Sequence, residues 1–203
     1  MASADLKALY SQPEIVDFYR SSAGADGLWP EEESLVVTRV PREAVLLDAG
    51  CRAGRISFGL WELGYRQVIG IDCSRPLIEA ARLLAAKLEY ATAFRVGDLA
   101  RLGFDAGTFD GVFWSGNGIA DYPEPADRLA VLAELRRVTR DGGALLLSSP
   151  EGDSAEALTA VCALAGWDAR ETARTAPDAT RANRPGAGFP AGTRFWRAQA
   201  VNP

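Results

Sequence analysis

Two hydrophobic periods alternate along this chain. Compact apolar runs at 45–49, 68–71, 93–96, 111–115 and 144–147 read as buried strands. Between them apolar residues recur at helical spacing: Ile56, Leu60 and Leu63; Leu77, Ala81, Leu84 and Leu88; Leu129, Leu132, Leu135 and Val138, the last set running to Arg140. The punctuation agrees with this reading. Gly64 stands where a helix ends on a left-handed residue, Ser74 stands as an N-cap, and Pro76 falls just inside the helix it opens. Asp141-Gly142-Gly143 reads as a turn into the fifth strand. A further helix is expected over 154–165 and two last strands over 167–172 and 194–201. The intervening stretch, 175–193, is rich in Pro, Gly and Ala and reads as a long loop or hairpin tip.

Ahead of the first strand, residues 1–40 read as helical. Ile15, Phe18 and Tyr19 share a face after Pro13-Glu14, and a Ser/Ala/Gly loop at 21–27 interrupts them. Trp29-Pro30-Glu31-Glu32-Glu33 then opens a second helix, with Pro at its first position and acids at the positive end of its dipole. This segment is either a packing cap on the sheet or a lid carrying Tyr10, Tyr19 and Trp29 over a ligand. The alternation of strands and helices predicts an α/β fold: a doubly wound, mostly parallel sheet of seven strands, helices on both faces, and an N-terminal helical cap. One domain is expected over 1–203, built from the cap (1–40), a core (41–149) and a C-terminal helix with the last two strands (150–203).

Composition narrows the chemistry. The chain has no histidine, which removes the commonest general base, the commonest metal ligand and every Ser-His or Cys-His dyad. Its three cysteines, Cys51, Cys73 and Cys162, show no CxxC spacing, so neither a metal nor a redox pair is expected. A net charge of −5 without a basic run argues against nucleic acid as a partner. No apolar stretch is long enough to cross a bilayer and no basic-then-apolar leader opens the chain, so the expectation is a cytoplasmic protein without a membrane partner. Oligomeric state leaves no trace in the sequence.

In sheets of this kind ligands bind beyond the carboxyl ends of the strands, and polar residues gather there. Asp48-Ala49-Gly50 ends the first strand, Asp72 the second, Asp98 the third, and Ser115-Gly116-Asn117 the fourth. Asp72 follows Asp48 by 24 positions, close to the interval for an acid that accepts hydrogen bonds from ribose hydroxyls. A carboxylate suits a diol because it accepts two hydrogen bonds and donates none. Asp98, 26 positions further on, suits an exocyclic amine.

With these residues in register the chain resembles the class I (Rossmann-like) S-adenosylmethionine-dependent methyltransferases. The resemblance is carried by Leu47-Asp48-Ala49-Gly50-Cys51-Arg52-Ala53-Gly54, Ile69-Gly70-Ile71-Asp72, Val96-Gly97-Asp98-Leu99, Phe109-Asp110-Gly111-Val112 and the run from Leu135 to Gly143. It implies S-adenosylmethionine as cofactor and S-adenosylhomocysteine as product. The turn at Gly50, Cys51 and Gly54, with Asp48 at its start, would hold the methionine portion. Asp72 would take the ribose hydroxyls, Cys73 would border ribose and adenine, and Asp98 and the Leu99 backbone would meet the adenine. Ser115 and Asn117 would face the methionine end and the acceptor. The family's last strand is antiparallel, and 194–201 is the candidate.

One residue departs from the family pattern. Its middle glycine is Arg52 here. Arg52 is a harmless residue pointing into solvent, an anchor for the cofactor carboxylate, or a sign of weak binding; the first is the expectation, because Gly50 and Gly54 remain. Arg55 is the alternative carboxylate partner. Methyl transfer from a sulfonium asks the protein mainly for alignment, which a chain without histidine can provide. Asp121, Tyr122 and Tyr19 are the candidate catalytic residues, Trp29 is counted with the cofactor-binding residues, and Tyr19, Trp29, Trp114 and Tyr122 could hold a planar or cationic acceptor, although for Trp114 burial in mid-strand is the expectation. The short connection after the fifth strand favours a small-molecule substrate, with nitrogen preferred over oxygen or carbon as the acceptor atom, in the tailoring of a specialised metabolite. A cyclase-type enzyme using the sulfonium only as a charge, or a catalytically idle binding protein, are the alternatives.

Overall fold

The computed structural model of the chain describes residues 3–150, 152–175 and 193–201. Three helices come first, α1 (Ser3–Leu9), α2 (Pro13–Ala23) and α3 (Pro30–Arg39). The core alternates β1 (Val45–Ala49), α4 (Arg55–Glu62), β2 (Gln67–Asp72), α5 (Arg75–Leu88), β3 (Ala93–Val96), β4 (Phe109–Trp114), α6 (Pro125–Val138) and β5 (Thr139–Pro150). A short 3-10 turn, Gly118–Asp121, follows β4. The chain continues through α7 (Ala155–Leu164), β6 (Trp167–Thr175) and β7 (Thr193–Ala200).

The seven strands form one sheet in the order β3-β2-β1-β4-β5-β7-β6. β1 pairs in parallel with β2 and β4, and β7 runs antiparallel to both β5 and β6. The order reverses direction at β1 and β4, so a crevice is expected at the carboxyl ends of these two strands. Alternating side chains divide the core between the two faces. Leu46, Phe113 and Leu146 meet α3 and α4 on one face, while Leu47, Val112 and Leu145 meet α6 and α7 on the other. The helices α1 and α2 pack through Leu6, Ile15 and Ala23 onto Leu77, Ile78 and Ala81 of α5.

The fold is the one expected, with local corrections. α2 runs on to Ala23, so the interruption begins at Gly24 rather than at 21. In α5 the buried stripe is Leu77, Ile78, Ala81 and Ala85, whereas Leu84 is half-buried and Leu88 is exposed, because α2 covers the stripe shifted by one residue. α6 stops at Val138, and β5 begins at Thr139, ahead of the expected turn. The register between β4 and β5 shifts between Phe109 and Gly111, and Asp141-Gly142-Gly143 sits in that irregularity, within the strand. Gly143 is required there, since a Cβ would lie 2.5 Å from Thr139 Cγ2 and 2.9 Å from the Asp110 carbonyl. The expected loop at 175–193 lies, apart from its two end residues, outside the described residues.

Candidate active site at the carboxyl edge of the sheet

The turn after β1 carries three left-handed residues: Gly50 at φ +70°, Arg52 at +53° and Gly54 at +97°. The amides of Gly50 and Cys51 both donate to the Ile71 carbonyl, at 2.8 and 2.9 Å, which ties the turn to the end of β2. A Cβ on Gly50 would meet only Leu99, at 3.9 Å, so the space above this residue is open. Two adjoining clefts flank the turn, and Gly50 and Arg52 line both. The first is also lined by Tyr19, Asp48, Cys51, Arg55, Ser115 and Gly116. The second is also lined by Tyr10, Asp72, Cys73, Asp98, Leu99, Asp121 and Tyr122. Most of the residues singled out in the sequence therefore converge here.

Asp72, at the end of β2, is 1% exposed. Its Oδ1 accepts from the Ser74 amide at 2.9 Å and its Oδ2 from the Arg52 amide at 3.0 Å. Burial lifts its pKa above the ordinary carboxylate value, against the pull of Arg52 and these two amides. Arg52 does not point into solvent, which corrects the expectation. Its side chain is 15% exposed and turns inward: NH2 donates to Asp121 Oδ2 and to the Tyr10 hydroxyl, each at 2.8 Å, and NH1 lies 3.7 Å from Asp72 Oδ2. The guanidinium lies 3.7 Å from the Tyr10 ring centroid and 5.4 Å from that of Tyr19. Four groups with negative or electron-rich character, Asp121, Asp72, Tyr10 and Tyr19, thus draw the cation inward, something the glycine pattern of the sequence conceals.

Asp48 is buried at the end of β1, and its Oδ2 accepts from the Ser57 amide and hydroxyl at 3.0 and 2.6 Å. Its Oδ1 has no hydrogen-bond partner among the described residues. Burial pushes the Asp48 pKa up to about 6, opposed by Ser57 and Arg55. Arg55 opens α4 and forms a two-pronged pair with Glu32, NH1 to Oε2 and NH2 to Oε1, both at 2.8 Å, while NH1 also donates to the Gly27 carbonyl. Glu32 accepts as well from the Trp29 amide at 2.9 Å and the Ser115 hydroxyl at 2.5 Å. Burial would raise the Glu32 pKa, but Arg55 and the hydrogen bonds carry it below the ordinary value. Trp29 packs between the Arg55 guanidinium, 4.4 Å from its ring centroid, and Phe195. It lines neither cleft.

Of the remaining candidates, Asp98 and Tyr122 line the second cleft and Asn117 is buried beside it. Asp98 Oδ1 accepts from the Ala100 amide at 2.9 Å. Asn117, left-handed at φ +59°, donates from its amide to Ser148 Oγ and from Nδ2 to Thr193 Oγ1, and its buried Oδ1 has no hydrogen-bond partner among the described residues. It too lines neither cleft. Tyr122 stacks edge-on against Trp114, and burial holds its phenol protonated at neutral pH. Burial also pushes up the thiols of Cys51 and Cys73, the latter to about 12, so neither is a thiolate. A separate and larger cavity of about 860 Å³ opens at the amino edge of the sheet, between α7, Trp167 and Val201. Its charged pair, Arg136 and Asp141, is satisfied internally and by the Val201 carbonyl.

Two residues of the site escaped the sequence reading. Glu32 stands among three acids at a helix start, indistinguishable in sequence from Glu31 and Glu33 except as a residue three positions after the N-cap, which commonly reaches back to the cap amide. Tyr10 was legible only as a possible lid aromatic; its bond to Asp121 at 2.7 Å spans 111 positions of sequence.

Residues 46–143 match a family profile described as a methyltransferase domain. The chain is 32% identical over 142 residues to a malonyl-[acyl-carrier protein] O-methyltransferase of Erwinia billingiae, covering 70% of this chain and 53% of that protein. It is 36% identical over 102 residues to the cypemycin N-terminal methyltransferase of a Streptomyces species, covering 50% of this chain and 40% of that protein. The chain thus spans about half the length, or less, of the curated relatives it matches. Among solved structures, the magnesium protoporphyrin IX methyltransferase of Synechocystis with bound S-adenosylhomocysteine superposes with a TM-score of 0.75 at 17% identity, covering 98% of this chain and 100% of that one.

Proposed function

The chain belongs to the class I S-adenosylmethionine-dependent methyltransferases, and on that premise we propose that it methylates a nitrogen of a small-molecule acceptor, as a tailoring step on a specialised metabolite. The observation that carries this reading is the placement of Asp48, Asp72 and Asp98 at the ends of β1, β2 and β3, on either side of the Gly50 turn. In this reading Gly50 and Cys51 hold the methionine portion in the first cleft, and Gly54, which lines neither cleft, shapes the turn that carries them. The unpartnered Asp48 Oδ1 fits the ammonium of that portion, and Arg55 retains donors for its carboxylate beyond those given to Glu32 and Gly27. Asp72 takes the ribose diol, with Cys73 beside it, and Asp98 and Leu99 take the adenine in the second cleft. The cofactor supplies an activated methyl group on sulfur, so the protein's share is alignment and exclusion of water.

The acceptor side supports nitrogen. Cys51, Cys73 and the Tyr122 phenol stay protonated, and Asp121 is held by Tyr10 and Arg52. An oxygen acceptor of high pKa would need a base that these groups do not supply, whereas a neutral amine needs only desolvation and a place to lose its proton. One relative is named for N-terminal methylation and another for O-methylation. Only residues 151–154 separate β5 from α7, which leaves no room there for an insert that would cradle a macromolecule. The inward Arg52 favours a second reading, a binding protein without turnover. Incubation with methyl-labelled S-adenosylmethionine and panels of amines, phenols and carboxylates separates the readings. Label in amines supports the proposal, label only in oxygen acceptors overturns its nitrogen part, and cofactor binding without transfer to any acceptor supports the second reading.

A further inference from the structure

We propose that Arg52, Tyr10 and Asp121 form a latch that holds the cofactor site shut, and that cofactor binds only to the fraction of molecules in which this latch has opened. The proposal rests on reading the two clefts as the two halves of one adenosyl-binding site. The free volume in them is about 40 and 20 Å³. A single water needs about 10–15 Å³ by the same measure, so the clefts as they stand hold a few waters and not a nucleoside. Both share Gly50 and Arg52 as lining. A ligand running from one cleft to the other has to cross the place where the Arg52 guanidinium stands.

The latch is built from three segments distant in sequence. Tyr10 follows α1 and is 1% exposed. Its hydroxyl donates to Asp121 Oδ1 at 2.7 Å and accepts from Arg52 NH2 at 2.8 Å. Its carbonyl accepts from the Ser74 hydroxyl at 2.7 Å, which fixes it over the start of α5. Asp121 sits in the turn after β4 and takes both the phenol and the guanidinium. The Tyr10 ring stacks under the guanidinium at 3.7 Å. Arg52 pivots on a left-handed backbone whose own amide donates to the Asp72 carboxylate, so its side chain can swing while the turn stays in place. Opening therefore costs the hydrogen bond to the Tyr10 hydroxyl, the ion-paired hydrogen bond to Asp121 and the contact with the Tyr10 ring, and leaves the sheet untouched. A site available only part of the time binds with an affinity reduced by that fraction, so weakening the latch should tighten binding.

The test is the kinetics of S-adenosylhomocysteine binding to the whole chain by stopped-flow fluorescence, with wild type, Tyr10→Phe and Arg52→Ala. Tyr10→Phe removes the hydroxyl and keeps the ring, so it remains informative if Arg52→Ala folds poorly. The latch predicts association faster by roughly threefold or more in both variants, with dissociation within about twofold of wild type. Unchanged association with faster dissociation makes Tyr10 and Arg52 direct ligand contacts and overturns the latch while leaving the adenosyl reading intact. Absence of binding in all three proteins overturns the adenosyl reading itself, and the latch with it.

Discussion

Arg52 and Asp72 meet twice: the Arg52 amide donates to Asp72 Oδ2 at 3.0 Å, and its guanidinium NH1 stands 3.7 Å from the same oxygen. The residue that takes the place of the family's middle glycine therefore covers the acid assigned to the ribose. The backbone contact needs no side chain and keeps the turn in shape. The side chain, by contrast, adds a cation that the pattern does not call for, and the protein surrounds it with Tyr10, Tyr19, Asp121 and Asp72.

Replacing Arg52 by Gly relieves a left-handed non-glycine residue, worth about 1–2 kcal/mol, but strands Asp121, which is 8% exposed. Breaking a buried pair by removing one partner costs about 3–5 kcal/mol. The net expectation for Arg52→Gly is a loss of about 2 kcal/mol in urea unfolding. Stability equal to or above wild type would show that the inward ion pair contributes nothing.

Asp48 gives a pH dependence with a definite sign. Its pKa is raised by burial to about 6, so between the unfolded value and about 6 the native state holds more protons than the unfolded one. Stability contributed by this group is present at low pH and lost as pH rises through that window. Asp48→Asn removes the dependence. The stability of Asp48→Asn relative to wild type should rise by about 2 kcal/mol between pH 4.5 and pH 7, measured by denaturant unfolding at both values. A constant difference would place the Asp48 pKa near its ordinary value.

Glu32 holds Arg55, the Trp29 amide and Ser115 at once. Glu32→Gln keeps the shape and removes the charge, leaving Arg55 buried without its counter-ion. Unfolding free energy should drop by about 3 kcal/mol. A change below about 1 kcal/mol would mean that solvent reaches Arg55 and screens it.

Gly54 tolerates no side chain. At φ +97° a Cβ would lie 2.9 Å from both the Phe58 and the Phe94 rings. Gly54→Ala combines backbone strain with overpacking and should cost about 3 kcal/mol in the same assay. Near-wild-type stability would show that both rings shift freely.

The fold was legible because its signals are local and repeated. Gly64, Ser74 and the apolar runs fix where elements start and stop, and strand–helix alternation then leaves few topologies. The failures sit where long-range contacts override local signals. Asp141-Gly142-Gly143 looks like a turn, yet strand pairing with β4 absorbs it into β5. Leu88 fits the helical period of α5, but α2 does not extend over it. Strand-end acids were legible by spacing, since their place depends only on the strands that carry them. Arg52, Tyr10 and Glu32 were not, because their roles depend on partners 23 to 111 positions away that no local pattern names.

The central claim is that Asp72 anchors an adenosyl cofactor beyond the end of β2. Its most direct test is calorimetric titration of S-adenosylmethionine into wild type and Asp72→Ala, with unfolding measured alongside to confirm that both are folded. The account predicts micromolar binding by wild type, about 8 kcal/mol, and binding weaker by roughly tenfold or more in Asp72→Ala. Equal affinity in the two folded proteins would contradict it.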